Sequence, residues 1–265
     1  MATTTPWPSE EELDAAYRDW YRPSDGRFSG IGDRLLRYLR GRLAVRIDHV
    51  APPGSVLDVG SGDGTLLAAL RRRGREAVGL ERGSTEGARD QEITEIEKDD
   101  WAGVVFWHSL EHLREPGKAI ERAAQLLQPR GLLFVAVPNS ASLQARLFGD
   151  RWFALDIPRH LIHLTAPALV HKIEASGMEI ERVSYMRGGQ ILFGWVHGIV
   201  SLLPGHRDLY DAIRRPAARS RPLSTRTRLV TLGLGVVVLP LAAFGALIEV
   251  LAHRGGTVYV EARRA

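Results

Sequence analysis

Val56-Leu-Asp-Val-Gly-Ser-Gly-Asp-Gly64 is the stretch whose reading decides the fold. Four residues suited to a buried strand run directly into a loop with three glycines, and Thr65-Leu-Leu then opens a helical pattern. Glycines let the backbone turn sharply and approach a ligand closely, and the helix that follows points free N–H groups toward it. Asp58 stands just before the turn, where a carboxylate can bond loop amides or a ligand ammonium group. Asp63 adds negative charge inside the loop, which suits a cationic ligand better than a pyrophosphate. An ordinary tight turn is the competing reading of any such glycine run; a strand before and a helix after argue against it here.

Downstream, Ala77 to Leu80 reads as a second strand ending at Glu81. An acid at that strand end, about 20 residues beyond the loop, can grip both hydroxyls of a ribose. Gln91 to Ile96 is expected as a third strand, Gly103 to Trp107 as a fully apolar fourth, Leu132 to Val137 as a fifth, Met178 to Tyr185 as a sixth and Thr257 to Ala262 as the last. Helices are expected over Asp63 to Arg73, Gly117 to Leu127 and Thr165 to Ser176. This alternation specifies an α/β fold, Rossmann-like, with a mostly parallel sheet and helices on both faces. Upstream, Ser9 to Arg22 reads as a short capped helix carrying Tyr17, Trp20 and Tyr21, and Pro23 to Phe28 as a turn-rich segment. Gly32 to Val50 is a stronger helix, broken by Pro52-Pro53-Gly54. The expected organisation is an N-terminal helical segment or lid over 1–50, the Rossmann-like domain over 51–187 plus 254–265, and an apolar, Arg-rich helical insertion over 188–253.

The 265 residues suit one sizeable domain with such an insertion, and 45% hydrophobic with 25% charged residues is an ordinary globular balance. With no cysteine, disulfides, thiolate metal sites and a cysteine nucleophile are excluded. Met1 to Glu12 has no apolar core of the signal-peptide kind, so a cytoplasmic location is expected. The net charge of +4 and a pI of about 9.7 come mostly from arginine, which draws attention to nucleic acid, anionic lipid or an acidic substrate as partners.

The loop with Glu81, the segment Trp101 to Leu113 and the strand Leu132 to Asn139 together resemble class I S-adenosylmethionine-dependent methyltransferases. Val56 to Leu67 is similar to their first motif, and Glu81 to their ribose-binding acid. Within that class the chain most resembles the quinone-biosynthesis O-methyltransferases and their bacterial relatives, over about Gly54 to Gly177 plus the last strand. The resemblance implies an antiparallel last strand, S-adenosyl-L-methionine as cofactor, and cofactor contacts at Asp58, Gly60, Ser61, Gly62, Asp63, Gly64, Glu81, Arg82, His108, Ser109 and Leu110. It departs from the family pattern beyond Glu81: Lys98, Asp99 and Asp100 crowd the place of an adenine-binding acid, and Ala102 stands where an aspartate is usual. A nicotinamide-dependent oxidoreductase is the first alternative, weakened because Thr65 and Leu66 stand where the third glycine of G-x-G-x-x-G should fall. A membrane-associated protein that binds the cofactor without catalysis is the second.

Methyl transfer to a hydroxyl calls for a base that works near neutral pH, and histidine is the natural candidate. One cluster is His108-Ser-Leu-Glu-His112 after the fourth strand, at the sheet edge where α/β proteins bind ligands. If the chain turns helical there, His108, Glu111 and His112 share one face. The quinone enzymes resemble this segment and are thought to use magnesium, but the spacing is a weak metal signature and no metal site is assigned. A second cluster is Asp150 to His163, where Asp156, Arg159, His160 and His163 meet Trp152 and Phe153. That density of titratable and aromatic groups is typical of a substrate pocket. His108, His160 and His163 are the catalytic candidates, and Glu111, His112, Trp152, Asp156 and Arg159 the acceptor-binding ones. A purely structural role is the alternative for both clusters.

Leu229 to Ile248 is apolar apart from Thr231 and Pro240, about the length of a membrane span. Arg214, Arg215, Arg219, Arg221, Arg226 and Arg228 precede it with no acid among them, the pattern of attraction to anionic headgroups. A single crossing would leave the last strand on the wrong side of the membrane. The expectation is therefore a monotopic helical hairpin near the active-site mouth, at the inner face of the cell membrane, suited to a small or lipid-like acceptor. The alternative is a cap buried against the domain or in a homodimer interface. The arginines lack an aromatic-interleaved platform, which argues against nucleic acid.

Overall fold

The structure is a computed structural model that describes residues 1–18, 28, 30–82, 88–186, 188–205 and 207–265. In chain order the elements begin with strand β1 (Ala2–Thr3), helices α1 (Glu10–Arg18) and α2 (Ile31–Val50), strand β2 (Val56–Val59), helix α3 (Thr65–Arg71), and strands β3 (Ala77–Leu80), β4 (Ala88–Arg89) and β5 (Trp101–Trp107). Helix α4 (Pro116–Leu126), strand β6 (Leu127–Pro138), helix α5 (Leu143–Phe148), strand β7 (Ile162–His163), helix α6 (Ala166–Ala175) and strand β8 (Met178–Ser184) follow. Helices α7 (Gly188–Leu202), α8 (Leu209–Ile213), α9 (Thr225–Val237) and α10 (Leu239–Leu251) lead to the last strand, β9 (Thr257–Arg264). Contacts group the chain into two units, one of 34–137, 166–184 and 259–265, the other of 1–33, 138–165 and 185–258.

The first unit is built on a seven-stranded sheet in the order β4-β3-β2-β5-β6-β9-β8. β2 pairs in parallel with β3 and β5, β5 with β6, and β8 with β9 antiparallel. Every residue of β2 and β5 is buried, as expected of parallel strands covered on both faces. Helix α2 supplies Leu43, Ala44 and Ile47 to this core. Two arginines fix its position. Arg75 donates to Asp48 Oδ1 and to the carbonyls of Asp48, Ala51, Pro52 and Gly54, satisfying groups that the end of α2 leaves open. Arg46 makes a fork of 2.9 and 2.6 Å onto the fully buried Glu261 of β9, which Tyr259 also contacts at 2.7 Å. Burial works to raise the Glu261 pKa, but the Arg46 and Tyr259 bonds outweigh it and hold the carboxyl below its usual range.

Local chemistry moved one expected element. Gln91 to Ile96 is not a strand: β4 lies earlier, and Ile93–Glu95 is a 3-10 turn closed by a reciprocal capping box between Glu92 and Glu95. At the N-terminus Ser9 and Glu12 form the same device and start α1. The expected continuation of that helix through Trp20 and Tyr21, and the turn-rich segment up to Arg27, lie outside the described residues.

In the second unit β1 and β7 pair antiparallel, Ala2 with His163 and Thr3 with Ile162. Its core gathers Phe148, Trp152, Trp195, Val200, Leu209 and Ala242. Glycines in α7 permit close helix packing: a Cβ on Gly194 would strike the Gln144 side chain, and one on Gly198 the ring of Phe148. The fully buried Glu249 of α10 accepts from the Gln144 backbone N–H (2.9 Å), Gln144 Nε2 (2.7 Å) and Trp195 Nε1 (2.9 Å). Among the described residues no single helix is long and apolar enough to cross a membrane. α9 and α10 form a pair bent by 54° at the break between them. Four of the six arginines are internal fasteners. Arg214 is buried 3.6 Å from Asp211, Arg215 reaches Asp33 and the Phe28 carbonyl, and Arg219 and Arg228 donate to the carbonyls of Arg214 and Ala212.

Candidate active site

The end of β2 and the loop after it form one rigid turn. Gly60, Gly62 and Gly64 have φ of 77°, 57° and 69°, values that L side chains rarely adopt. The amides of Gly60 and Ser61 both donate to the Leu80 carbonyl, at 2.8 and 3.0 Å, tying the loop to the tip of β3. The Glu81 carboxylate returns the connection by accepting from the Gly62 amide at 2.6 Å. Asp63 Oδ1 accepts from Thr65 N–H at 3.0 Å, so this acid braces the start of α3. Gly60 is needed for close approach as well as for its φ, because a Cβ there would collide with Ser109, whose hydroxyl bonds the Val59 carbonyl. Arg82 is exposed beside Glu81, and Leu110 is buried behind Ser109.

Asp58 differs from its neighbours. It is buried in β2, and its Oδ1 has no hydrogen-bond partner. Burial pushes its carboxyl up to about 7; the charge of Arg40 opposes this, and those of Glu81 and Asp63 add to it.

His108 follows β5 with φ +55°. Only a 3-10 turn, Leu110–His112, comes after it, so the shared helical face expected for His108, Glu111 and His112 does not form as such. The turn still brings His108 Nδ1 to 3.4 Å from Oε1 of the buried Glu111. The His112 amide bonds the Ser109 carbonyl.

In the other unit the Asp150 to His163 stretch folds on itself around Asp156. Asp156 Oδ1 takes Arg159 at 2.5 Å, and Oδ2 lies 3.6 Å from His160 Nε2. His160 Nδ1 is 2.9 Å from the Ala154 carbonyl, which can only accept, so Nδ1 carries the hydrogen and Nε2 is left as the acceptor. Thr4 bonds both histidines: its hydroxyl donates to the His160 carbonyl at 2.7 Å and lies 3.1 Å from His163 Nε2. Having one hydrogen, Thr4 must accept from His163, which leaves His163 Nδ1 as that ring's acceptor. Burial lowers the His163 pKa. Trp152 is core, and Phe153 belongs to an aromatic group, with ring centroids 4.9 Å from Phe193, 5.1 Å from Tyr210 and 5.2 Å from His197. Sequence reading missed Thr4, which a two-residue strand brings in without any periodic signal, and also His197. The spacing of Phe193 and His197, four apart on a helix, was the available clue to the latter.

A family model described as a methyltransferase domain matches residues 33–183, more than half of the chain. The chain belongs to this methyltransferase family. The ubiquinone biosynthesis O-methyltransferase of Xylella fastidiosa (strain M23) is 27% identical over 172 residues, covering 54% of this chain and 70% of the relative. That of Hahella chejuensis is 30% identical over 145 residues, covering 48% and 58%. The solved SAM-dependent methyltransferase from Archaeoglobus fulgidus shares the fold, with a TM-score of 0.52 at 15% identity over 86% of this chain and 94% of that one. The protein is thus a class I S-adenosylmethionine-dependent methyltransferase, which decides against the nicotinamide alternative.

The residues of the methyltransferase fit its cofactor. A buried Asp58 carboxylate with one oxygen lacking a partner, three turns that only glycine makes easily, and an acid at the tip of β3 provide for an ammonium group, close backbone approach and a ribose. Asp58, the Gly60–Gly64 loop and Glu81 would hold it.

Proposed function

We propose that this methyltransferase acts on a hydroxyl oxygen of a small or lipid-like acceptor at a membrane surface, with His160 as the base. Bound S-adenosylmethionine supplies the electrophilic methyl group. What remains for the chain is to orient the acceptor and take its proton. The observation that carries this reading is the arrangement of His160: Nδ1–H is anchored on the Ala154 carbonyl, so Nε2 is the atom that receives a proton, and Asp156 at 3.6 Å then pairs with the imidazolium. Burial disfavours the charged form of His163, which orders the same loop through Thr4; His108 with Glu111 forms a second histidine–acid pair. The names of the relatives favour oxygen as the methylated atom. Arg159 and Asp156 are proposed to meet the acceptor, and Glu111, His112 and Trp152 to shape its surroundings. Of the arginines, Arg221 and Arg226 are the exposed ones.

The test is transfer of a labelled methyl group to a panel of phenols and polyprenyl phenols, with mass spectrometry locating the methyl. His160→Ala is expected to lower kcat at least a hundredfold and leave S-adenosylhomocysteine binding intact. Methylation on nitrogen or carbon, or an undiminished kcat in the variant, would sink the reading.

A further inference from the structure

We propose that the α9–α10 pair is an in-plane anchor, its outer face sunk into one leaflet of an anionic bilayer and its two outer ends held among the headgroups. This deepens the membrane-surface reading above and rests on it.

The polarity of the pair is inverted. A helix on a water-soluble protein turns its large apolar side chains inward and its polar ones to solvent. Here the inward positions are Thr231, Gly235, Ala242, Gly245 and Glu249, all buried. Val236, Val237, Leu241, Phe244, Leu247 and Leu251 point out and are 55–74% exposed. From Leu229 to Leu251 no exposed position carries a charge or a polar side chain. Small residues against protein and large ones outside is the arrangement of helices whose solvent is hydrocarbon. The inner contacts agree: Gly245 lies so close to the Trp195 ring that a Cβ would come within 2.6 Å, and the one buried charge, Glu249, receives three hydrogen bonds. An exposed apolar surface of this extent on a monomer marks an interaction site.

Shape and charge indicate what covers it. Each helix has 13 residues and is about 20 Å long. With legs tilted equally, a 54° bend puts the vertex about 9 Å deeper than the outer ends, within the roughly 5–10 Å that interfacial helices reach. Exposed cations stand at both outer ends: Arg221 just before α9, Arg226 in its first turn, and Arg254 after α10. Anionic headgroups complement them. A single crossing is excluded by the sheet, because β8 precedes the pair, β9 follows it, and the two strands are hydrogen-bonded neighbours.

The chain has no cysteine, so a single one can be placed at will. Full-length Val237→Cys and Phe244→Cys proteins, each carrying an environment-sensitive fluorophore, would be mixed with phosphatidylethanolamine–phosphatidylglycerol vesicles, with Leu35→Cys on α2 as control. Blue-shifted emission and quenching by lipid-borne nitroxides are expected at 237 and 244 and not at 35. Val237→Glu with Phe244→Glu should lower vesicle partitioning at least tenfold and leave S-adenosylhomocysteine titration unchanged. Labels that stay in water while the protein binds vesicles would overturn the anchor and leave the membrane-surface reading standing. No vesicle binding would remove both. Labels protected without lipid, together with a concentration-dependent dimer, would make a second copy the occupant and overturn the anchor.

Discussion

Two buried acids, one in each unit, make an instructive contrast. Glu249 on α10 is fully enclosed, and its oxygens accept from Gln144 twice and from Trp195. Asp58 at the start of the glycine loop is equally enclosed, yet Oδ1 accepts from nothing. Burying a carboxylate is costly either way; donors reach both oxygens in one case and leave Oδ1 unmatched in the other. A satisfied buried acid is an internal fastener. An unsatisfied one is a place where stability has been given up, and such places cluster where ligands bind.

The contrast can be broken most directly at Glu249. Glu249→Ala leaves three buried donors without an acceptor and should lower the unfolding free energy by about 3 kcal/mol in denaturant titration, with S-adenosylhomocysteine affinity unchanged. The reverse pattern is expected at Glu81→Ala, where the ligand's ribose and the Gly62 amide both lose their acceptor. Calorimetry should show affinity reduced about a hundredfold, equivalent to about 2.7 kcal/mol, in a protein that remains folded.

Asp58 sharpens the comparison through pH. Its folded pKa, about 7, lies above the ordinary 3.8, so the folded state holds the proton more tightly than the unfolded state does. Between those two values the unfolded chain binds fewer protons at this group, and stability must fall as pH rises from about 4 to about 7, levelling above that. Asp58→Asn should remove this slope from a series of thermal melts. The ionised acid is the form that attracts a ligand ammonium, so cofactor affinity should rise through pH 7 in the wild type, by about tenfold, and stay flat in the variant. A wild-type slope that survives in Asp58→Asn would assign the titration to another group. The smallest effect belongs to the exposed face of α9: Val237 is 74% exposed, and Val237→Ser should leave unfolding within about 0.5 kcal/mol of wild type.

How far the sequence carried depends on how local the determining chemistry is. The loop from Gly60 to Gly64, the strands on either side and Glu81 were legible, because glycine spacing and a strand-ending acid are local signals. So was the return of β9 to the sheet. The third strand was misplaced because Ile93 and Ile96 look strand-like, whereas the Glu92–Glu95 box that curls them is a side-chain matter. Arg215 and Arg228 read as part of a lipid-facing patch because their partners, Asp33 and the carbonyls of Phe28 and Ala212, are distant in sequence or carry no sequence signal. Burial is the other hidden quantity. The sequence places Asp58 at a strand end, but not the absence of any donor to Oδ1. The inverted polarity of α9 and α10 was in principle visible, since Thr231, Gly235, Ala242, Gly245 and Glu249 recur at helical spacing. In an apolar run, the stripe of small and polar residues marks the inward face, and the apolar majority distracts from it.

The place of β9 in the sheet has a consequence for the order of assembly. It lies between β6 and β8, so an interior strand is delivered only after the whole apolar excursion from α7 to α10 has been made. Until then β8 has no neighbour to join, and the sheet ends at an open, apolar edge at β6. During synthesis, α9 and α10 leave the ribosome before the strand that completes the fold. A growing chain therefore offers its greasiest segment to its surroundings while still unfinished, and whatever shelters that segment first, bilayer or chaperone, does so before an active enzyme exists.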